Sequence, residues 1–254
     1  MNTMRLPFVR FNSFLLLLLC VGSCIVRNKD ILNSRMVNSE ITIDGDLSDW
    51  PENLMSVTII DREIDQGDNI RILSDNEVIC KSLWNYQFLF MAFQVKDSNL
   101  IAYQKDNDHP RLYLDDMIEI LIDPQQDATE LWLPDDLIYH INLLNTVKDD
   151  RGTMKGERDV AWDGKAKYAI KMKGTLNDDS DVDEGYVLEV AIPWSEIGIQ
   201  PVGGTKMGFN FANGDNDGIG RQLFDWMGAW PMRTPSQFGT LHLIAAARPT
   251  GSVN

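Results

Sequence analysis

The chain reads as an all-β protein, an antiparallel β-sandwich of the jelly-roll kind with long polar loops. Three observations predict this. From Ile41 onward, short apolar runs rich in β-branched and aromatic residues recur, divided by Asp, Asn and Gly. No stretch beyond the first thirty residues carries a long helical period. The turns between runs are short, which favours two packed antiparallel sheets over a parallel sheet that would need helical crossovers.

Taken in order, Met55 to Ile60 is the first clear strand, and Val78 to Trp84 and Tyr86 to Val95 form a hairpin around Asn85. Met117 to Ile122, Leu137 to Leu144, Tyr168 to Met172, Tyr186 to Ile192, Met207 to Ala212 and Gly239 to Ile244 complete the set. One helical turn is expected at Pro193-Trp194-Ser195-Glu196-Ile197, because Pro suits an early helical position and Gly198 suits its end. The polar stretches Asn145 to Asp159 and Asn177 to Gly185 read as loops at the ends of the sandwich. No internal repeat and no Pro/Ser-rich linker divides the chain, so one domain is expected over 39–247, with 248–254 a tail.

The N-terminus carries Arg5 and Arg10, no acid, and then an apolar run from Phe14 to Leu19. That is the layout of a secretory signal, and the run is too short to span a bilayer. Val21-Gly22-Ser23-Cys24 follows and resembles a lipobox, in which small residues precede a cysteine that receives lipid. Signal 1–23, lipidated Cys24 and a tether over 24–38 are therefore expected, against the alternative of an ordinary signal peptide with an incidental cysteine. Cys80 is left without a partner and, within Val78-Ile79-Cys80, reads as a buried thiol. The formal charge is −15, and loss of the two signal arginines makes it −17. Such a field disfavours nucleic acid and anionic lipid, so the membrane is met only through the lipid anchor. It suits calcium or neutral ligands such as sugars. No zinc-spaced Cys/His cluster, G-x-S-x-G, H-E-x-x-H or P-loop phrase appears.

Six phrases occur in order: Ile43-Asp44-Gly45-Asp46-Leu47-Ser48-Asp49-Trp50, Tyr86 through Asp97, Asp115-Asp116-Met117-Ile118-Glu119 through Pro124, Glu189-Val190-Ala191-Ile192-Pro193-Trp194, Gly208 through Asp217, and Phe238-Gly239-Thr240-Leu241. Together they resemble the family 9 carbohydrate-binding modules, β-sandwiches attached to xylanases or standing alone in envelope lipoproteins. The resemblance implies a slot in which two aromatic rings sandwich a sugar and polar side chains hold its hydroxyls, since a pyranose exposes an apolar C–H face and a polar edge. It implies Tyr113 as the first ring, six residues before Glu119, where family members often have Trp. Trp226, favoured over Trp230, is the implied second ring, with Glu119, His140 and Asn213 holding hydroxyls. It implies structural calcium, for which Asp44 and Asp46 offer close carboxylates at a turn, the plain turn remaining the alternative.

The resemblance further implies a non-catalytic protein exported to the bacterial cell envelope as a membrane-anchored lipoprotein. Its partners would be oligo- or polysaccharides and envelope glycosidases, in support of polysaccharide catabolism. Asp116 and Glu119, three apart on a strand, point to opposite faces and make a poor acid/base pair. Two alternatives stay open: a scaffolding sandwich without sugar binding, and a haem-binding sandwich with His140 and a Met as axial ligands.

Overall fold

A computed structural model describes residues 30–60, 64–65, 71–72, 76–217, 221–228 and 234–246. Among them are fifteen strands: β1 (Ile31–Met36), β2 (Ser56–Ile60), β3 (Ile64–Asp65), β4 (Arg71–Ile72), β5 (Glu77–Trp84), β6 (Phe88–Lys96), β7 (Met117–Asp123), β8 (Leu137–Asn142), β9 (Val147–Gly152), β10 (Arg158–Asp159), β11 (Lys167–Lys173), β12 (Gly185–Pro193), β13 (Lys206–Asn216), β14 (Arg221–Asp225) and β15 (Gly239–Ile244). The α-helix α1 (Trp194–Ile197) is the expected single turn, entered from Pro193 and closed by Gly198 at φ 81°. Signal, Cys24 and the tail at 248–254 lie outside the described residues.

The strands form one hydrogen-bonded path, β10-β9-β8-β7-β13-β15-β1-β5-β6-β12-β11, with β14 on β13 and β2 on β5. All its pairings are antiparallel except β1, which runs parallel to both β15 and β5. The path curls so that its two halves face each other across one core, as in a sandwich. Phe93 of β6 and Phe211 of β13 meet across that core, ring centroids 5.4 Å apart. Alternation fills it: Ile118, Ile120 and Ile122 from β7, Leu137, Tyr139 and Ile141 from β8, and Met207, Phe209 and Phe211 from β13 all point inward.

Two expectations are corrected. The supposed tether contains β1, which inserts between β15 and β5 and buries Leu32 completely. The next inward position is Ser34, also buried, its hydroxyl accepting from Ser82 Oγ at 2.9 Å. A hydroxyl pair thus stands where an apolar residue would have announced the strand. The supposed loop 145–159 contains β9 and β10. The β9 sequence, Val147-Lys148-Asp149-Asp150-Arg151-Gly152, looks like a loop because neither face of the strand is apolar throughout.

The Ile43 to Trp50 phrase docks on the Glu189 to Trp194 phrase. Asp44 N and Gly45 N donate to Glu189 Oε2 at 3.0 and 2.6 Å, and Trp50 Nε1 donates to Glu189 Oε1 at 2.7 Å. Gly45 sits at φ 81° with room only for hydrogen, since a Cβ there would lie 2.7 Å from Lys171.

Candidate functional site

β7 is buried at every position, so the side of the sheet away from the core is covered as well. On that side alternation places Glu119 of β7, flanked across the ladder by His140 of β8 and then Lys148 of β9. In the other direction come Ala212 of β13 and Asp225 of β14. One step along lie Asp150, Ile138, Leu121 and Asn210. Leu112, Met117, Ala212 and Leu223 form a small apolar cluster at one end of this face.

The polar groups of the face are joined in pairs. His140 Nε2 lies 3.0 Å from Glu119 Oε1, and His140 Nδ1 lies 3.2 Å from the Lys148 carbonyl oxygen. Lys148 Nζ donates to Asp150 Oδ1, and Arg158 Nη1 lies 3.2 Å from Asp150 Oδ2. Asn210 Nδ2 donates to Asp225 Oδ1 at 3.1 Å. Burial pushes His140 down to about 4, opposed by the negative charge of Asp150 and reinforced by the positive charges of Lys148 and Arg158. Neither ring nitrogen of His140 is free, which removes it as an axial ligand and leaves the haem reading without its histidine.

Tyr113 stands in a 3-10 turn, Leu112–Leu114, just before β7. It is 45% exposed, and the Arg221 guanidinium lies over its ring, 5.2 Å from the centroid. Asn216 Nδ2 donates to the Leu114 carbonyl at 2.7 Å, tying this turn to the end of β13. Arg221 shares its side of β14 with Leu223 and Asp225, so Tyr113 belongs to the same face as Glu119 and His140. Glu119 and His140 are in contact, and Tyr113 lies on the same face toward the Arg221 end of β14, the opposite end from Asp225.

The structure does not bring Asn213 or Trp226 there. Asn213 follows Phe209 and Phe211 on the core side of β13, is 1% exposed, and accepts from Tyr186 Oη at 3.4 Å. Trp226 packs in the core against Phe209 and Phe211, centroids 5.8 and 6.0 Å away, and is 6% exposed. A ring buried on phenylalanines has no face to offer a pyranose, so both residues are corrected to core roles. Trp230 lies outside the described residues. Sequence reasoning missed Lys148, Asp150, Asn210, Asp225 and Arg221. The β13 pattern alone could have found Asn210: it lies two residues from Ala212 and opposite in phase to Phe209 and Phe211.

The Asp44/Asp46 pair is engaged within its own turn and with a lysine. Asp46 caps the next 3-10 turn through Ser48 N at 3.0 Å and binds Lys171 Nζ at 2.8 Å, while Asp44 Oδ1 accepts from Asp46 N at 2.9 Å. With a lysine already on Asp46, these carboxylates are a turn. Two other groups bring carboxylate oxygens within 4.8 Å of one another: Asp97, Asp215 and Asp217, and Asp123, Asp135 and Asp136. Burial, then Asp97, pushes the neighbouring Asp116 up to about 9. Burial, then the charges of Asp123 and other nearby carboxylates, pushes Asp136 up to about 8 despite the bond from Leu133 N. Asp136 is fully buried and its Oδ1 accepts no hydrogen bond. An orphaned buried carboxylate oxygen among all-oxygen donors fits calcium and suits no soft metal.

A family model described as "Carbohydrate family 9 binding domain-like" matches residues 43–246. Endo-1,4-beta-xylanase A of Thermotoga neapolitana is 30% identical over 168 residues, 64% of this chain and 14% of the enzyme. Endo-1,4-beta-xylanase A of Thermoanaerobacterium saccharolyticum is 26% identical over 237 residues, 90% of this chain and 17% of the enzyme. The chain therefore spans only a small fraction of the curated relatives it matches. Among solved structures, a family 9 carbohydrate-binding module of Caldicellulosiruptor kristjanssonii in complex with cellotriose superposes with a TM-score of 0.63 at 21% identity, covering 87% of this chain and 97% of that one. A putative carbohydrate-binding protein of Bacteroides uniformis gives 0.62 at 16% identity, covering 84% and 98%. The family match covers the sandwich from its Asp-Gly-Asp turn through β15, and on that extent this chain belongs to the family 9 carbohydrate-binding domains.

Proposed function

We propose that this protein binds a neutral oligosaccharide, without cutting it, on the sheet face that carries Tyr113, Glu119 and His140. The observation that carries this is the placement of one exposed aromatic ring on the same face as a row of hydrogen-bonded polar groups. That is the pairing of apolar platform and fixed polar edge that a pyranose requires. The Caldicellulosiruptor modules, solved with cellotriose and with glucose, make β-1,4-linked glucose the first ligand class to try. Among the described residues the carboxylates of this face are already engaged: Glu119 with His140, Asp150 with Lys148 and Arg158, and Asp225 with Asn210. That favours recognition over acid/base work.

The setting we infer is the cell envelope, with Cys24 lipidated and the sandwich held outside the membrane in support of polysaccharide catabolism beside envelope glycosidases. The basic, apolar and Cys24 sequence of residues 1–24 supports it. Calcium at Asp123, Asp135 and Asp136 would brace the connection from β7 to β8. The segment 234–238 leans on that connection, through Ser236 N donating to Thr129 O at 2.9 Å and Trp132 packing on Phe238 at 5.9 Å. Titration calorimetry against cello-, xylo- and manno-oligosaccharides, with intact and with reduced ends, tests the function. Heat from at least one series, lost in Tyr113→Ala, is expected. A folded protein silent across the whole panel would sink the reading in favour of a scaffolding role.

A further inference from the structure

We infer, on the strength of the binding face proposed above, that Tyr103 is a second sugar-contacting ring of that face, so that the site takes a chain of two or more sugar units and holds it more tightly than a single unit. Three of the six tyrosines present an exposed ring: Tyr86 at 70%, Tyr103 at 60% and Tyr113 at 45%. Tyr86 belongs elsewhere, at the tip between β5 and β6 in the opposite half of the sandwich, set edge-on against Trp84 at 5.9 Å. Tyr103 and Tyr113 are tied to the same carboxylate.

Backbone bonds to two neighbouring aspartates bring Tyr103 to this face. Side chains alternate along extended chain, so Asp115 and Asp116, at the entry to β7, point to opposite sides. Asp116 points with Ile118 toward the core and accepts from Ile101 N at 2.6 Å. Asp115 points with Met117 and Glu119 toward the outer face, where it accepts from Tyr103 N at 3.0 Å and from Gln104 N at 2.9 Å. Asn142 fixes the side independently. It is in phase with His140 on β8, and its Nδ2 donates to Asp115 Oδ2 and to the Gln104 carbonyl, each at 2.8 Å. The chain therefore crosses from core to outer face between Ile101 and Tyr103.

Tyr103 and Tyr113 stand at the two ends of the loop 104–112, and both ends meet Asp115, whose own N–H donates to the Leu112 carbonyl at 3.1 Å. Between them the loop is pinned to β9: Asp108 N donates to the Val147 carbonyl at 2.9 Å, and Asn107 Oδ1 accepts from Val147 N at 3.2 Å. Tyr103 comes in on the β8 side, by Asn142, and Tyr113 on the β14 side, with Arg221 over its ring. The two residues thus flank the entry to β7. An exposed ring on backbone that is already fixed gives up little freedom on meeting a ligand, which suits it to stack on the C–H face of a pyranose. From Asp115 to Glu119 the chain advances roughly 13 Å, at about 3.3 Å per residue, farther than one pyranose reaches. An oligosaccharide lying on this face meets the tyrosines and the Glu119–His140 row with different units.

The experiment is titration calorimetry of wild type, Tyr103→Ala and Tyr103→Phe against the one-, two- and three-unit members of the cello-, xylo- and manno-series. In a series that binds, wild type should gain roughly threefold to tenfold in affinity from one unit to three, the worth of an added aromatic contact. Tyr103→Ala should lose that gain and keep the one-unit affinity. Tyr103→Phe, which retains the ring, should keep most of the gain. Removing an exposed ring leaves the backbone bonds to Asp115 in place, so the urea midpoint of Tyr103→Ala should match wild type, and recovery in Tyr103→Phe separates loss of the ring from any effect on folding. A Tyr103→Ala protein with the wild-type gain, or a wild type with no gain at all, overturns the role of Tyr103 and leaves the binding face standing. A wild type silent toward every sugar defeats the binding face and Tyr103 together.

Discussion

Trp226→Ala separates a sugar platform from a core residue. The indole is 94% removed from solvent and rests on Phe209 and Phe211, with Gly239 so close that a Cβ there would lie within 2.8 Å of the ring. Truncation deletes nine ring atoms from a site bounded by two strands of the sheet, where collapse is limited. Large-to-small changes of this kind cost about 3–5 kcal/mol. For a domain of this size each kcal/mol moves the melting temperature by about 2–4 °C, so a fall of roughly 6–20 °C is expected. Differential scanning calorimetry and urea unfolding read it, with calorimetric glycan titration well below the new transition. There the residual folded protein should still bind, weakened at most through loosening of the sheet. A melting temperature within about 2 °C of wild type, together with abolished binding, would refute the core assignment and return the indole to the slot.

Other expectations follow from the same geometry. Tyr113→Ala, at a 45% exposed ring, should change stability by no more than about 0.5–1 kcal/mol while lowering glycan affinity at least tenfold by calorimetry; unchanged affinity removes Tyr113 from the site. Burial raises Asp116 and Asp136 to about 9 and about 8. In the absence of divalent cation the folded state therefore keeps protons that the unfolded chain releases near pH 4, and stability should decline as pH rises from about 4 toward those values. Added calcium should raise the melting temperature at pH 7 and flatten that decline, and Asp136→Asn should blunt the calcium response; a response equal to wild type places no ion at Asp136. Gly45→Ala should cost about 1–3 kcal/mol, from its positive φ and the 2.7 Å approach to Lys171, read as a lower midpoint in urea with glycan affinity retained.

The legible parts of the fold are the strands with one apolar face, such as β15, which alternates buried and half-buried positions throughout. The hairpin of β5 and β6 and the single turn of α1 were equally open to reading. β1 was not, because its second inward residue is a serine satisfied by another serine from β5. Nor was β9, whose Asp150 is buried beside Lys148 of the same strand and Arg158 of β10, which neutralise it. Within the site, Tyr113, Glu119 and His140 were reached through the family resemblance, and the structure places them on one face. Asn213 and Trp226 sit in the right stretch of chain on the wrong side of the sheet.

By itself the sequence determined the class of fold, the buried Cys80 and the family, because periodicity and ordered phrases are properties of one dimension. Which side of β13 and β14 faces the core was decided only in three dimensions. Phe209, Phe211 and Trp226 compete with Asn210, Ala212 and Asp225 for the core, and the larger apolar area wins. The carboxylates were sorted the same way. Asp44 and Asp46, adjacent in sequence, spend their oxygens on a turn and a lysine. Asp123 and Asp136, thirteen residues apart, are pressed together at the ends of paired strands, where a buried oxygen without a donor leaves room for a cation.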